Sequence, residues 1–283
     1  MAASGYGNFI EIGPYNLHMK PRRHTWIKDY NVLFVDSPIG TGFSYFSEKN
    51  ATLLTSTEDI GGDLVTFLRK FLQNRKEFAT TPLYIFGESY GGKMAAEFAY
   101  QLEKEIRNGI MDVNLKGIGL GDSYTSPIDY VLNYAPFALT IVSIILTCCT
   151  FIGCSRMLDD GRFENWRLSY YPGNSIKFVS TLTHVELMSY EKKCNKFMNS
   201  FVKARLGIPR QVTWHYTNRD IYNALDEDIM RSVTDRIEYL LNNTNVKVVV
   251  YNGIFDFIVN TSGKIILIYI DKKQTKNRLL KAL

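Results

Sequence analysis

Residues 83–106 constrain this chain more than any other stretch. Leu83 to Phe86 is an apolar run that reads as a buried strand. From Lys93 onward, Met94, Phe98, Leu102 and Ile106 recur at the three-to-four spacing of a helix. Between the two lies Gly87-Glu88-Ser89-Tyr90-Gly91, a Gly-x-Ser-x-Gly sequence. A strand that becomes a helix in so few residues needs glycines where side chains would collide, and it lifts the central hydroxyl above the sheet edge. That arrangement is a nucleophile elbow, and it makes Ser89 the nucleophile candidate. The plain alternative is a serine that caps the helix.

The flanking sequence supplies more of the same fold class. Asn31 to Val35 reads as a buried strand, and Ser37 to Gly42 punctuates a loop after it. Ser56 precedes a helix with Ile60, Leu64, Phe67, Leu68, Phe71 and Leu72 on one face, and Ser56 with Asp59 resembles a capping box. The helix after the elbow stops at Asn108-Gly109. Leu115 to Leu120 is a further strand. One helix spans about Asp220 to Leu241, with Ile221, Leu225, Ile229, Val233, Ile237 and Leu240 at helical spacing, and Val246 to Val250 is the next strand. Strands alternating with helices predict an α/β chain: a mostly parallel sheet with helices on both faces and functional residues at the carboxyl ends of its strands.

Composition excludes several classes. With 283 residues, 46% of them hydrophobic, the chain can bury one sizeable core. Its net charge of +5 is spread along the sequence apart from a basic tail (Lys272, Lys273, Lys276, Arg278, Lys281), which reads as a solvated end and not as a nucleic-acid patch. Cys148, Cys149, Cys154 and Cys194 suit neither a zinc site nor a spread disulfide framework. Asn50-Ala51-Thr52, Asn242-Asn243-Thr244 and Asn260-Thr261-Ser262 fit the N-glycosylation acceptor pattern. Met1-Ala2-Ala3-Ser4 does not open a signal peptide. Ala135 to Cys154 is uncharged, apolar and about as long as a membrane-spanning helix. A span there would put the elbow and the later sheet residues on opposite sides of a bilayer, so a buried helix of an insertion or sequence foreign to the fold is preferred.

Longer strings carry a family resemblance. Phe-Gly-Glu-Ser-Tyr-Gly-Gly-Lys (86–93) resembles the active-serine segment of the serine carboxypeptidases, an α/β-hydrolase family. Gly-Asn-Phe-Ile-Glu-Ile-Gly-Pro (7–14), Phe-Val-Asp-Ser-Pro-Ile-Gly-Thr-Gly-Phe-Ser-Tyr (34–45), Gly-Leu-Gly-Asp-Ser (119–123) and Val-Tyr-Asn-Gly-Ile-Phe-Asp-Phe-Ile-Val (250–259) resemble the same family in the same order. Gly-Lys-Met-Ala-Ala after the elbow and Tyr-Asn-Gly near the end are most like its retinoid-inducible branch. The resemblance covers about 5–134 and 205–262. It implies four parts: a first part of the hydrolase core (1–134), a divergent and reduced helical lid (135–204), a second part of the core (205–262) and a divergent basic tail (263–283). Residues 141–156 look inserted, and they and the tail read as translated non-coding sequence or products of alternative splicing.

What the resemblance implies for chemistry is specific. Ser89 would attack the peptide carbonyl, the Tyr90 N–H would hold the oxyanion, and Asp256 would orient a histidine. Read without the family, Asp256 could simply fix the Asn252-Gly253 turn. Glu11 and Glu88 would share a proton and bind the free C-terminal carboxylate of a peptide. No metal or organic cofactor is implied, and no nucleic acid. The family is secreted or lysosomal. Its histidine follows the aspartate in a Gly-His-Met segment, whereas His18, His24, His184 and His215 all precede Asp256. Its second oxyanion donor lies in an Asn-Gly-Gly-Pro-Gly type loop that would come before Gly5. The expectation is a chain shortened at both ends and weakly active or inactive. The alternatives are a non-catalytic carboxypeptidase-like binding protein and an incomplete fragment.

Overall fold

The computed structural model describes residues 2–46, 52–152, 166–171, 175–180, 184–254, 256–263 and 279–281, with backbone alone at 142, 144–152, 166–171, 175–180, 184–190 and 279–281. In chain order the main elements are α1 (Thr57–Asn74), β1 (Leu83–Glu88), α2 (Tyr90–Arg107), β2 (Leu115–Gly121), α3 (Pro127–Ile152), β3 (Trp166–Tyr171), β4 (Ser175–Ser180), α4 (His184–Phe197), α5 (Lys203–Leu206), α6 (Arg219–Ala224), α7 (Asp226–Ile229), α8 (Thr234–Asn243), β5 (Lys247–Tyr251) and β6 (Leu279–Lys281). Two compact units form: Met1–Leu54 with Arg156–Ala224, and Thr55–Ser155 with Leu225–Leu283.

The second unit holds a sheet of order β1-β2-β5-β6, parallel at every pairing. Parallel strands need crossovers, and the helical periodicities supply them. Ser56 caps α1 by accepting from the Asp59 N–H at 3.1 Å, and its hydroxyl donates to the Asp59 carboxylate at 2.6 Å. One face of α1 buries Ile60, Val65 and Leu68, and α2 buries Ala96, Phe98, Ala99 and Leu102. All of these but Ile60 join residues of β2, β5 and α8 in a single apolar cluster. Full burial of each large aliphatic side chain contributes roughly 1.5–3 kcal/mol, so this cluster is the main source of cohesion in the unit. Alternation on β1 sends Leu83 and Ile85 into the cluster and leaves Tyr84 and Phe86 53% and 50% exposed on the other face. A mostly parallel sheet with flanking helices was expected, and it forms. Here α2 packs on β1 and β2 and also touches α1 and α8, and α8 packs on β5, so these three helices share one face.

Two expectations fail locally. The helix anticipated over 220–241 is broken into α6, α7 and α8. Its apolar positions are buried as foreseen at Ile221, Leu225, Val233, Ile237 and Leu240. Immediately before α8, Val233 turns its N–H to the Thr125 carbonyl (3.0 Å) and the Ser232 hydroxyl joins it there (3.2 Å), which accounts for the second break. Those tertiary bonds replace helical ones, and the buried residue in between is Asp228. Asn31 to Val35 is not a strand: it joins no ladder among the described residues, and Leu33 is half-exposed. Strand propensity without a bonded neighbour leaves an extended segment.

The first unit has the antiparallel pair β3–β4 and a cluster of Ala2, Cys194, Met198, Val202 and Trp214, with Phe9, Phe197 and Tyr216 against it. Buried Asp36 ties its strings together, accepting from the Ser4 N–H (2.8 Å), the Ser4 hydroxyl (2.5 Å) and the Phe43 N–H (2.8 Å). The Trp214 indole N–H donates to the same Ser4 hydroxyl at 3.1 Å.

The apolar stretch 135–154 falls in α3 as far as Ile152, with Pro136 inside the helix. Among the described residues no helix is long and apolar enough to cross a membrane; most side chains of 142–152, and all of 153–154, lie outside them. Asn50 and Ala51 of the first acceptor triplet and most of the basic tail also lie outside. In the tail, Leu279–Lys281 pairs with β5 as a fourth parallel strand. Cys194 is a buried free thiol, and the other three cysteines fall outside the described side chains. Asn260 is fully buried: its amide donates to the Tyr130 carbonyl at 2.9 Å and accepts from the Gly263 N–H at 2.8 Å.

Candidate active site

The elbow takes the form its sequence demands. Ser89 follows β1 directly and adopts φ +81°, ψ −115°, a region that residues with a side chain rarely enter. Its side chain makes no capping bond to α2, so the capping alternative does not account for the serine. A methyl group at Gly87 would overlap the Gly91 carbonyl, and one at Gly92 would overlap the Ser123 hydroxyl. Both glycines are therefore steric requirements of the turn. The strain predicts that Ser89→Gly raises stability by about 1 kcal/mol, because glycine enters this region freely, whereas Ser89→Ala does not. Denaturant melts of the two variants check this.

The loop after β2 buttresses the elbow. Ser89 N–H donates to the Gly121 carbonyl (3.1 Å), and Tyr124 N–H donates to the Ser89 carbonyl (2.9 Å). The Ser123 hydroxyl lies 3.3 Å from the Gly87 carbonyl and 3.0 Å from that of Gly121. As the first residue of α2, Tyr90 has an N–H with no intrahelical acceptor.

Asp256 lies past the carboxyl end of β5, two strands from β1. One carboxylate oxygen accepts from the Ile258 and Val259 N–H groups at 2.9 and 3.0 Å. Its side chain does not brace the Asn252-Gly253 turn. Asp122 does so, accepting from the Gly253 N–H at 2.6 Å. Glu88 is exposed as a residue, yet its carboxyl is raised above the usual range by partial desolvation and then by the charges of Asp122 and Asp256. Glu88, Asp122 and Asp256 thus all stand at or just past the carboxyl ends of neighbouring strands, β1, β2 and β5.

The other candidates lie in the first unit. Glu11 ends a π-helical turn, Gly7–Glu11, and its backbone carbonyl accepts from the Arg22 guanidinium at 2.5 Å. His18, His24 and His215 are exposed there, and the side chain of His184 falls outside the described residues. Among the described residues no His, Cys, Asp and Glu group has the makings of a metal site.

A polar hub beneath the elbow escaped the sequence reading. The Lys93 ammonium, fully buried, donates to the Asp228 carboxylate at 2.9 Å and also to the Asp228 and Ile229 carbonyls. The same carboxylate accepts from the Tyr90 hydroxyl (2.8 Å), the Thr57 N–H (3.1 Å) and the Thr57 hydroxyl. Burial opposes the Asp228 charge, but these donors outweigh it and hold its carboxyl below the usual carboxylate range. Burial lowers Lys93, with Asp228 opposing. The visible signal was Lys93 and Glu97, two charges one turn apart on an Ala-rich helix, where Glu97 is also buried and paired with Arg236 at 2.8 Å.

The model of the family described as serine carboxypeptidase matches residues 2–152 and 139–279. The two ranges overlap at 139–152, inside the apolar stretch. The retinoid-inducible serine carboxypeptidase of Rattus norvegicus is 34% identical, over 93% of this chain and 66% of its own length. That of Homo sapiens is 31% identical with the same coverage. The crystal structure of KEX1(DELTA)P, a prohormone-processing carboxypeptidase from Saccharomyces cerevisiae, superimposes with a TM-score of 0.71 at 20% identity, over 94% of this chain and 66% of that one. The chain thus spans about two thirds of the length of these relatives, and the last likeness establishes the α/β-hydrolase fold. On the family match, this chain belongs to the serine carboxypeptidases.

Proposed function

We propose that this chain is by lineage a serine-type carboxypeptidase, a hydrolase of C-terminal peptide bonds acting through an acyl-enzyme, and that these 283 residues are weakly active or inactive. Ser89 is the nucleophile, the Tyr90 N–H an oxyanion donor, and Asp256 the acid that orients an imidazole. Glu11 and Glu88 receive the substrate's terminal carboxylate. The observation that carries this reading is the strained, uncapped backbone of Ser89 at the end of β1. Asp256 supports it: with one oxygen occupied by two backbone N–H groups, the other is available to an imidazole. Residues 1–134 and 205–262 supply the core in this reading, 135–204 a lid and 263–283 a tail, and secretion or the lysosome is the destination proposed for a member of this family.

Every histidine precedes Asp256. The 283 residues assayed by themselves are therefore expected to release little or no C-terminal amino acid from a blocked dipeptide at acidic pH. Robust release that disappears in Ser89→Ala would overturn the inactivity. Recognition is tested separately. A raised Glu88 remains protonated to higher pH than an ordinary glutamate and can donate to a carboxylate. Calorimetry should show a peptide acid binding more tightly than its amide at acidic pH, weakening as pH rises through the Glu88 value, and losing that preference in Glu88→Ala. Equal binding of acid and amide at every pH rejects the carboxylate site.

A further inference from the structure

The residue that physically joins the elbow to the acid loop is neither Ser89 nor Asp256. Gly121, the last residue of β2, pairs with Glu88 on one side and with Tyr251 on the other. Asp122 therefore emerges between the strand that leads into the nucleophile candidate and the strand that leads to the acid candidate. Its backbone continues the ladder toward β5, with its N–H 3.0 Å from the Tyr251 carbonyl. Its carboxylate takes the Gly253 N–H at 2.6 Å. Gly253 in turn starts the loop of Asp256: its carbonyl accepts the Asp256 N–H at 3.1 Å and lies 3.1 Å from the Asn252 amide, which also reaches the Val259 carbonyl at 2.7 Å. Asp122 holds φ +39°, a left-handed conformation that aspartate and asparagine tolerate better than most residues. The next two residues, Ser123 and Tyr124, bond the elbow.

We propose that Asp122 is a positioning residue that couples the two halves of the site, seating the Asp256 loop through its carboxylate and setting the charge that Glu88 faces. This rests on the peptidase reading for its functional meaning, but neither action needs turnover. Within the second unit the charged groups that act on Glu88 are Asp122 and Asp256, with Asp122 the stronger. Removing the Asp122 charge thus leaves Glu88 easier to ionise, and losing the carboxylate altogether frees the Gly253 N–H.

Two variants separate these actions. Asp122→Asn keeps an acceptor oxygen and tolerates the left-handed backbone but removes the charge. Asp122→Gly keeps the backbone free of strain but removes the acceptor. Amide hydrogen exchange at Gly253, Ile258 and Val259 and a carbon-13 NMR titration of the Glu88 carboxyl are measured on the full chain, beside Ser89→Ala as a control. In Asp122→Asn, exchange should match the parent while the Glu88 midpoint moves down. In Asp122→Gly, exchange at Gly253 should be about tenfold faster, the loss expected for one hydrogen bond, and the midpoint should again move down. An unmoved midpoint in Asp122→Asn, or unchanged exchange in Asp122→Gly, overturns the proposal. Because the readouts are independent of Ser89, failure of the peptidase reading leaves them standing, and their failure does not touch that reading.

Discussion

Lys93→Met is expected to cost about 3–5 kcal/mol of unfolding free energy. The magnitude follows from what remains behind. Lys93 and Asp228 have 0% and 5% of their side-chain surface exposed, so removing the ammonium strands a carboxylate in a place water does not reach. Asp228→Asn leaves the ammonium stranded in the same way, and the double variant should lose less than the sum of the two, because neither charge is then left unpartnered. The ion pair itself need not stabilise much relative to an apolar pair. Its consequence is the asymmetry between breaking it and removing it. The pH dependence has a definite sign. The folded-state value of Asp228 is depressed, so its contribution is complete above the unfolded value of about 4 and fades as pH falls through the folded one. Denaturant melts between neutral and acidic pH should show stability dropping on acidification, with a shallower slope in Asp228→Asn. Equal slopes would remove the carboxylate from the account.

Gly87→Ala should be nearly as damaging, by about 3 kcal/mol. The added methyl meets the backbone carbonyl of Gly91 and not a flexible side chain, so relief requires moving the start of α2. Moving α2 displaces Tyr90 and Lys93 together and disturbs the Asp228 hub. Chemical denaturation gives the loss, and near-ultraviolet circular dichroism should report the altered surroundings of Tyr90. A Gly87→Ala variant as stable as the parent would mean that the turn relaxes by another route. Beside it, the gain expected for Ser89→Gly sets a contrast of opposite sign two residues away.

Much of this was legible in the residues because single periodicities dominate. The apolar spacing from Ile60 to Leu72 placed α1, the string around Ser89 placed β1 and α2, and Val246 to Val250 placed β5 to within a residue. The misreadings occur where tertiary hydrogen bonds override a local pattern. The spacing from Ile221 to Leu240 is helical throughout, yet the Thr125 carbonyl captures Val233 and Ser232 and the helix breaks. Sequence cannot reveal that competitor, which lies more than a hundred residues away. Asp228 was hidden in the run Asp226-Glu227-Asp228, where charge density suggests a solvated face, and Lys93 was hidden beside Met94 in an amphipathic stripe. Asp122 was visible only as part of Gly-Leu-Gly-Asp-Ser, and its tie to Gly253 depends on strand order, which the sequence does not print.

The buried Asn260 sets an order of events. Its side-chain amide is committed to Tyr130 and its oxygen to Gly263, although Asn260-Thr261-Ser262 satisfies the acceptor triplet. An oligosaccharide attached there before the chain closes would wedge α3 away from residues 260–263. In any compartment that adds such sugars, this corner must fold ahead of the transferase, and each molecule that loses that race is barred from its native packing.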